Sequence, residues 1–187
     1  VKRHGGKAIM TSKKHKNGTE RISEIAKNFK PKLVLDIQGD EPLLNPNDID
    51  VVVNYHLDNK HFEIIVPSHP TSEKIENPNI VKIVSNDQGE VVYFSRSLIP
   101  NNFKQKKILF HRHLSIVSFK PEILQKFSNL EISNLEKIED IELLRALENK
   151  IKIENLSIKG DSFSVDTKDD LLRARKIIKN DPIRKLY

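Results

Sequence analysis

The chain has 187 residues, 37% hydrophobic and 31% charged, with a formal net charge of +6. These proportions suit a folded domain with a real core and exclude a disordered or fibrous chain, and no apolar run approaches the roughly 20 residues of a membrane-spanning helix. With no cysteine, disulfides, thiolate zinc sites and a cysteine nucleophile are excluded, and a reducing, cytoplasmic setting is expected.

In chain order, Val1 to Gly6 reads as the end of a helix closed by glycine, and Lys7 to Met10 as a strand. His15-Lys16-Asn17-Gly18-Thr19-Glu20-Arg21 is a polar loop running into a helix whose Ile22, Ile25, Ala26 and Phe29 share one face. A strand follows over 32–37. Asn45-Pro46 then opens a helix to about Asn59, Asn as cap and Pro in the first turn. Strands are predicted over 62–66, 80–85 and 91–94, the last two joined by the turn Asn86-Asp87-Gln88-Gly89.

A loop rich in Lys, Asn and Gln covers 101–107, and one strand covers 113–119. Pro121 opens a short helix. Ser133-Asn134-Leu135-Glu136 is a capping-box pattern, starting a helix that carries Leu135, Ile138, Ile141, Leu144 and Leu147. Residues 151–158 are β-like, and Asp166-Thr167 introduces a last helix to about Lys179. Strands alternating with helices predict an α/β fold with a largely parallel core and an inserted antiparallel hairpin.

The stretch most suggestive of chemistry is Leu33 to Pro42. An apolar strand ends in Gln38-Gly39-Asp40-Glu41-Pro42, and in open α/β sheets ligands bind beyond the carboxyl ends of strands. Glycine there admits close backbone approach, and an Asp beside it is a hard oxygen donor suited to Mg²⁺. The plain alternative is a tight turn whose carboxylates face water. A metal site needs a second carboxylate, and Asp166, after Phe163-Ser164-Val165, is the candidate. Its ordinary role is that of an acidic residue at a helix N-terminus.

The ordered set Asn17-Gly18-Thr19-Glu20-Arg21, Gln38 to Pro42, Val81 to Val84, Tyr93 to Arg96, Arg112-His113-Leu114 and Val165-Asp166-Thr167 resembles the 3-deoxy-manno-octulosonate (Kdo) cytidylyltransferase, or CMP-Kdo synthetase, family. Leu135 to Glu139 and Glu142 to Arg145 are similar to that family's late helix, so the likeness runs along essentially all of the chain.

The resemblance implies a nucleotide-diphospho-sugar transferase-like α/β fold, a mixed sheet flanked by helices, forming a single domain over residues 1–187. It implies nucleotidyl transfer from CTP to the sugar acid for lipopolysaccharide biosynthesis, with Mg²⁺ as cofactor and no nucleic-acid or membrane partner. A homodimer also follows from the resemblance. By it, Asp40 and Asp166 are the catalytic metal ligands. Gly18, Thr19, Arg21 and Gln38 handle nucleotide and sugar, and Arg96, His113 and Glu142 bind the sugar acid. Taken singly, Arg96 reads as a surface residue, Glu142 as a solvated helix residue and His113 as a structural strand histidine.

The family opens with a strand and a basic phosphate-binding loop for which this sequence has no counterpart. The incomplete N-terminus implies a missing nucleotide-binding segment, so the 187-residue chain is expected to be nearly inactive alone. Val117 and Leu143 stand where the family usually has Tyr and Gln, and both changes remove hydrogen-bonding groups from the expected sugar pocket. A related sugar acid, including an amino-substituted one, is therefore an alternative substrate. A non-catalytic binding or assembly module is the alternative from another class. Nucleic-acid binding is disfavoured because the lysines are scattered, acidic residues lie between them, and aromatic-basic interleaving is lacking.

Overall fold

In the computed structural model, which describes residues 1–72, 75–104, 108–160 and 162–183, four of the six described α-helices begin at side-chain caps written in the sequence. Lys2–His4 form one 3-10 turn closed by Gly5 at φ 77°. Helix α1 (Gly18–Ala26) starts where the Asn17 side chain accepts the Glu20 amide. It is followed by strand β1 (Val34–Ile37). Helix α2 (Pro46–Asp58) has Asn45 as its cap and Pro46 in its first turn. Strands β2 (Ile64–Thr71), β3 (Lys82–Ser85), β4 (Val91–Ser95), β5 (Phe110–His113) and β6 (Ile116–Phe119) come next.

The C-terminal part comprises α3 (Pro121–Ser128), α4 (Asn134–Glu139), α5 (Leu143–Glu148), β7 (Ile153–Ser157) and α6 (Lys168–Ile178). Reciprocal capping boxes start α4 at Ser133/Glu136 and α6 at Thr167/Asp170. No helix among the described residues is long and apolar enough to cross a membrane.

The sheet runs β1-β6-β2-β5-β3-β4, with β7 also paired to β2. The expectation of a largely parallel core is corrected: among the described strands only β2 and β7 pair in parallel. The stretch from Phe110 to Phe119 runs against β1, β2 and β3. Antiparallel neighbours distant in sequence produce the same strand-helix alternation as a parallel sheet.

Three further expectations differ. Lys7–Met10 forms no strand. The run read as one strand over 113–119 is two, broken at Leu114-Ser115, where the Leu114 amide donates to Pro67 O at 3.1 Å. The helix read from Ser133 onward is also two, because Asp140 takes φ 53° and ends α4. The polar loop read over 101–107 lies partly outside the described residues, at 105–107.

Two apolar layers cover the sheet. On one face Ile64, Val66, Phe94, Phe119, Leu124, Phe127 and Leu144 form the larger core. On the other, Val52 of α2 meets Phe62, Ile65 and Ile116. A buried ion pair stitches the short helices to the first layer. Arg145 donates from Nε to Glu136 Oε2 at 2.7 Å and from Nη2 to Oε1 at 2.5 Å, with its guanidinium 4.9 Å from the Phe127 ring centre. Glu136 also completes the α4 capping box, so one carboxylate ends the backbone of a helix and neutralises a buried cation.

Candidate active site

The turn after β1 is bound to the sheet at both ends. The Gln38 amide donates to Ser115 O at 3.2 Å, and the Ser115 amide donates back to Glu41 Oε1 at 3.2 Å. The break between β5 and β6 makes this possible, since a regular strand would spend the Ser115 peptide on its neighbours. Glu41 is 7% exposed and its second oxygen accepts the Ser162 hydroxyl at 2.5 Å, while Ser164 Oγ lies 3.5 Å from Oε1. The Val165 amide donates to Asp40 O at 2.9 Å. Two segments more than a hundred residues apart are thereby clamped together, with Asp40 on one and Asp166 on the other.

Asp166 does not follow a sheet strand, as the sequence suggested; residues 162–166 are irregular. What positions it is the clamp to Asp40 and Glu41 rather than sheet pairing. Its carboxyl is held above the ordinary range by burial and by the like charges of Asp40 and Asp170, with Arg96 pulling the other way.

Both carboxylates line a polar cavity of about 510 Å³, together with Thr19, Gln38, Arg96, His113 and Glu142. Gly18 and Arg21 line an adjoining cavity that shares Thr19, Gln38, Asp40 and Glu142 with the first. Every site residue singled out from the sequence therefore borders one of two hollows that share part of their lining.

Their local settings differ. Arg96 is fixed by backbone carbonyls: Nε donates to Glu139 O at 2.6 Å, Nη1 to Pro78 O at 3.1 Å and Nη2 to Asp140 O at 3.0 Å. Three of its five N–H donors are thus used and two remain for a ligand. The Arg96 amide and the Ser95 hydroxyl also bond Glu139, at 2.9 and 2.8 Å. Beneath it, fully buried Lys82 donates to Ile80 O at 2.7 Å and to Arg96 O. Burial, then the neighbouring Arg96 charge, lower the Lys82 pKa.

His113 has a buried Nε2 without a hydrogen-bond partner and packs its ring edge-on to Phe94 at 6.1 Å. Burial, helped by the charge of Arg112, depresses its pKa to about 4, so it is neutral near pH 7. Arg21 turns its guanidinium to Thr11 Oγ1 at 3.0 Å and Ser12 O at 2.9 Å, tying the 11–15 segment to α1. Thr19 donates to Glu142 Oε2 at 2.6 Å, and Asp36 Oδ2 stands 3.4 Å from the same hydroxyl. Burial raises the pKa of both carboxyls, and the Asp36 charge adds to the rise at Glu142.

Sequence reasoning passed over Asp36 and the supporting roles of Glu41, Lys82 and Glu139. Asp36 lies in register with Val117 on β6, a pairing that exists only in the folded sheet. The bonds that bring Lys82 and Glu139 to the Arg96 segment cross 14 and 43 positions of sequence and left no signal in it.

The donor chemistry fits a small hard cation. Among the described residues no group of three or more His, Asp or Glu side chains is arranged to hold a metal, but Mg²⁺ is commonly bound by one or two carboxylates with substrate phosphates completing the shell. Asp40 and Asp166 offer that pair.

Comparison with known proteins gives one answer. A family model described as cytidylyltransferase matches residues 1–153. The 3-deoxy-manno-octulosonate cytidylyltransferase of Fusobacterium nucleatum is 37% identical over 183 residues, covering 96% of this chain and 75% of that protein. The enzyme of the same name from Elusimicrobium minutum is 38% identical over 182 residues, covering 94% and 74%. The solved structure of CMP:2-keto-3-deoxy-manno-octonic acid synthetase complexed with CTP superposes with a TM-score of 0.89 at 30% identity, covering 96% of this chain and 75% of that one. With its nucleotide-diphospho-sugar transferase-like fold and this degree of likeness, the chain belongs to the 3-deoxy-manno-octulosonate cytidylyltransferase family.

Proposed function

We propose that the chain transfers the cytidylyl group of CTP to 3-deoxy-manno-octulosonate, giving CMP-Kdo and pyrophosphate for lipopolysaccharide synthesis. The observation that carries the reading is one cavity with a clamped carboxylate pair, Asp40 and Asp166, and a carbonyl-fixed arginine, Arg96. In the reaction the anomeric hydroxyl oxygen attacks the α-phosphorus of CTP. Its proton leaves, and the bond to the bridging oxygen of pyrophosphate breaks.

Such transfers depend chiefly on positioning and on neutralising phosphate charge. Asp40 and Asp166 would hold Mg²⁺, which when bound supplies positive charge at the reacting phosphate. Arg96 is pre-set by three carbonyls, so binding a sugar carboxylate through its two free donors costs little rotamer entropy. Neutral His113 lines the same cavity and would pack against the sugar, and Gln38 offers an amide. Gly18, Thr19 and Arg21 border the adjoining hollow, which would receive the nucleotide. A cytoplasmic homodimer belongs to the same reading.

The test is CTP-dependent release of pyrophosphate by the full-length gene product supplied with Kdo and Mg²⁺. Release that requires all three supports the reading. CTP binding without release under any of these conditions would favour a binding module instead.

A further inference from the structure

Within the cavity, charge is divided between two ends. Arg96 keeps two N–H donors outside its carbonyl bonds and is ion-paired at 3.7 Å with the exposed Asp140 carboxylate at the end of α4. At the wall shared by both hollows stand Asp36 and Glu142, one on either side of the Thr19 hydroxyl. A hydroxyl has a single proton to donate. The 2.6 Å contact places it on Glu142, which leaves Asp36 at 3.4 Å without a full hydrogen bond. The residue paired with Asp36 across the sheet is Val117, which has no donor, and Leu143 beside Glu142 has none either.

The charged groups on the surrounding elements are already engaged. Arg145 of α5 is held bidentately by Glu136 of α4. Arg21 of α1 is turned to Thr11 and Ser12, and Glu20 of α1 accepts the Lys16 amide at 2.9 Å. Two partly desolvated carboxylates thus share one donor inside a substrate cavity. A neutral hydroxyl brings one donor and no charge, whereas a protonated amine brings three donors and a positive charge. Glu142 already feels the charge of Arg145, so the gain falls chiefly at Asp36.

We propose that Asp36 is a specificity-determining residue which, with Glu142, receives a protonated amine, so that the favoured substrate is an ulosonic acid carrying an amino group in its polyhydroxy tail. The proposal rests on the cytidylyltransferase reading above and narrows its substrate class to a zwitterion. The carboxylate of the sugar acid meets Arg96 and its ammonium meets Asp36 and Glu142. Charge-assisted hydrogen bonds are about twice as strong as neutral ones, so a preference of roughly tenfold or more over the all-hydroxyl sugar is expected.

The experiment titrates the full-length protein, in the presence of CTP, with Kdo and with octulosonates in which each tail hydroxyl in turn is replaced by an amine. Binding is followed by calorimetry and turnover by pyrophosphate release. One amino sugar should bind at least about tenfold tighter than Kdo, and Asp36→Asn should erase most of that ratio. Glu142→Gln, with thermal unfolding as a folding control, should erode it as well.

If Kdo binds as tightly as every amino sugar, or if Asp36→Asn leaves the ratio unchanged, the proposal is overturned while the cytidylyltransferase reading stands. If none of these sugars binds or yields pyrophosphate, that reading fails and the proposal fails with it.

Discussion

Val165 donates its amide to the carbonyl of Asp40 at 2.9 Å, so the residue preceding one cavity carboxylate is hydrogen-bonded to the backbone of the other. The separation of Asp40 and Asp166 is therefore set by main chain, with Glu41 as a second tie through Ser162. Side-chain changes at either aspartate should leave this scaffold in place.

Asp40→Asn and Asp166→Asn are accordingly expected to fold normally and to lose activity by roughly 10²-fold or more, the loss common for removal of one transition-state contact. Steady-state kinetics across a Mg²⁺ titration, with circular dichroism as the folding control, checks this. Near-normal kcat/KM in either variant would remove that residue from the metal pair.

Glu41→Ala is expected to act on both stability and catalysis. It strips partners from the Ser115 amide and the Ser162 hydroxyl, at a cost of about 1–3 kcal/mol per buried group left unpaired. Glu41→Gln keeps one acceptor for the Ser115 amide and should retain part of both. Urea unfolding with amide exchange over 162–166 reads the difference, and equal protection in the wild type and Glu41→Ala would show that the clamp does not depend on this carboxylate.

Removing one partner of the Arg145–Glu136 pair should be costly. Arg145→Ala or Glu136→Ala is expected to lose about 3–5 kcal/mol, because the remaining charge stays buried. The double change Arg145→Met with Glu136→Leu should recover much of that loss. Denaturant midpoints of the single and double variants decide it.

The acid limb of stability should carry a histidine signature. The folded pKa of His113, about 4, lies below its ordinary value of 6.5, and burial depresses His56 to about 4 as well. Between those values the unfolded chain binds the proton and the folded chain does not. Stability is thus fully present above pH 6.5 and declines toward pH 4, by up to about 1.4 kcal/mol per pH unit for each histidine. Asp36, Glu142 and Asp166, raised by burial, take up protons first in the folded state and oppose the decline. His113→Gln should flatten the slope between pH 6.5 and 4; an unchanged slope would mean that His113 is not buried neutral.

Helix starts were legible because they are local. Asn17, Asn45, Ser133 and Thr167 each cap within three residues of themselves, and short spacings fix such bonds. The two breaks were not. Ser115 leaves the ladder for Glu41, a partner 74 positions away, and the Asp140 carbonyl receives Arg96 from 44 positions away. No hydrophobic period encodes either event, so each pair of elements read as one. The site showed the same division: Asp40 stood out beside a glycine at a strand end, while Asp36 looked like any polar residue in a strand until Thr19 and Glu142 were brought to it.

The interruption at Leu114-Ser115 has a consequence for sequence change. Surface loops usually absorb an inserted residue at little cost, but one added here would slide Ser115 out of reach of Gln38 and Glu41 together. It would also reverse which side chains of β6 face each layer. A stretch that looks like a connector thus has the insertion tolerance of a core strand.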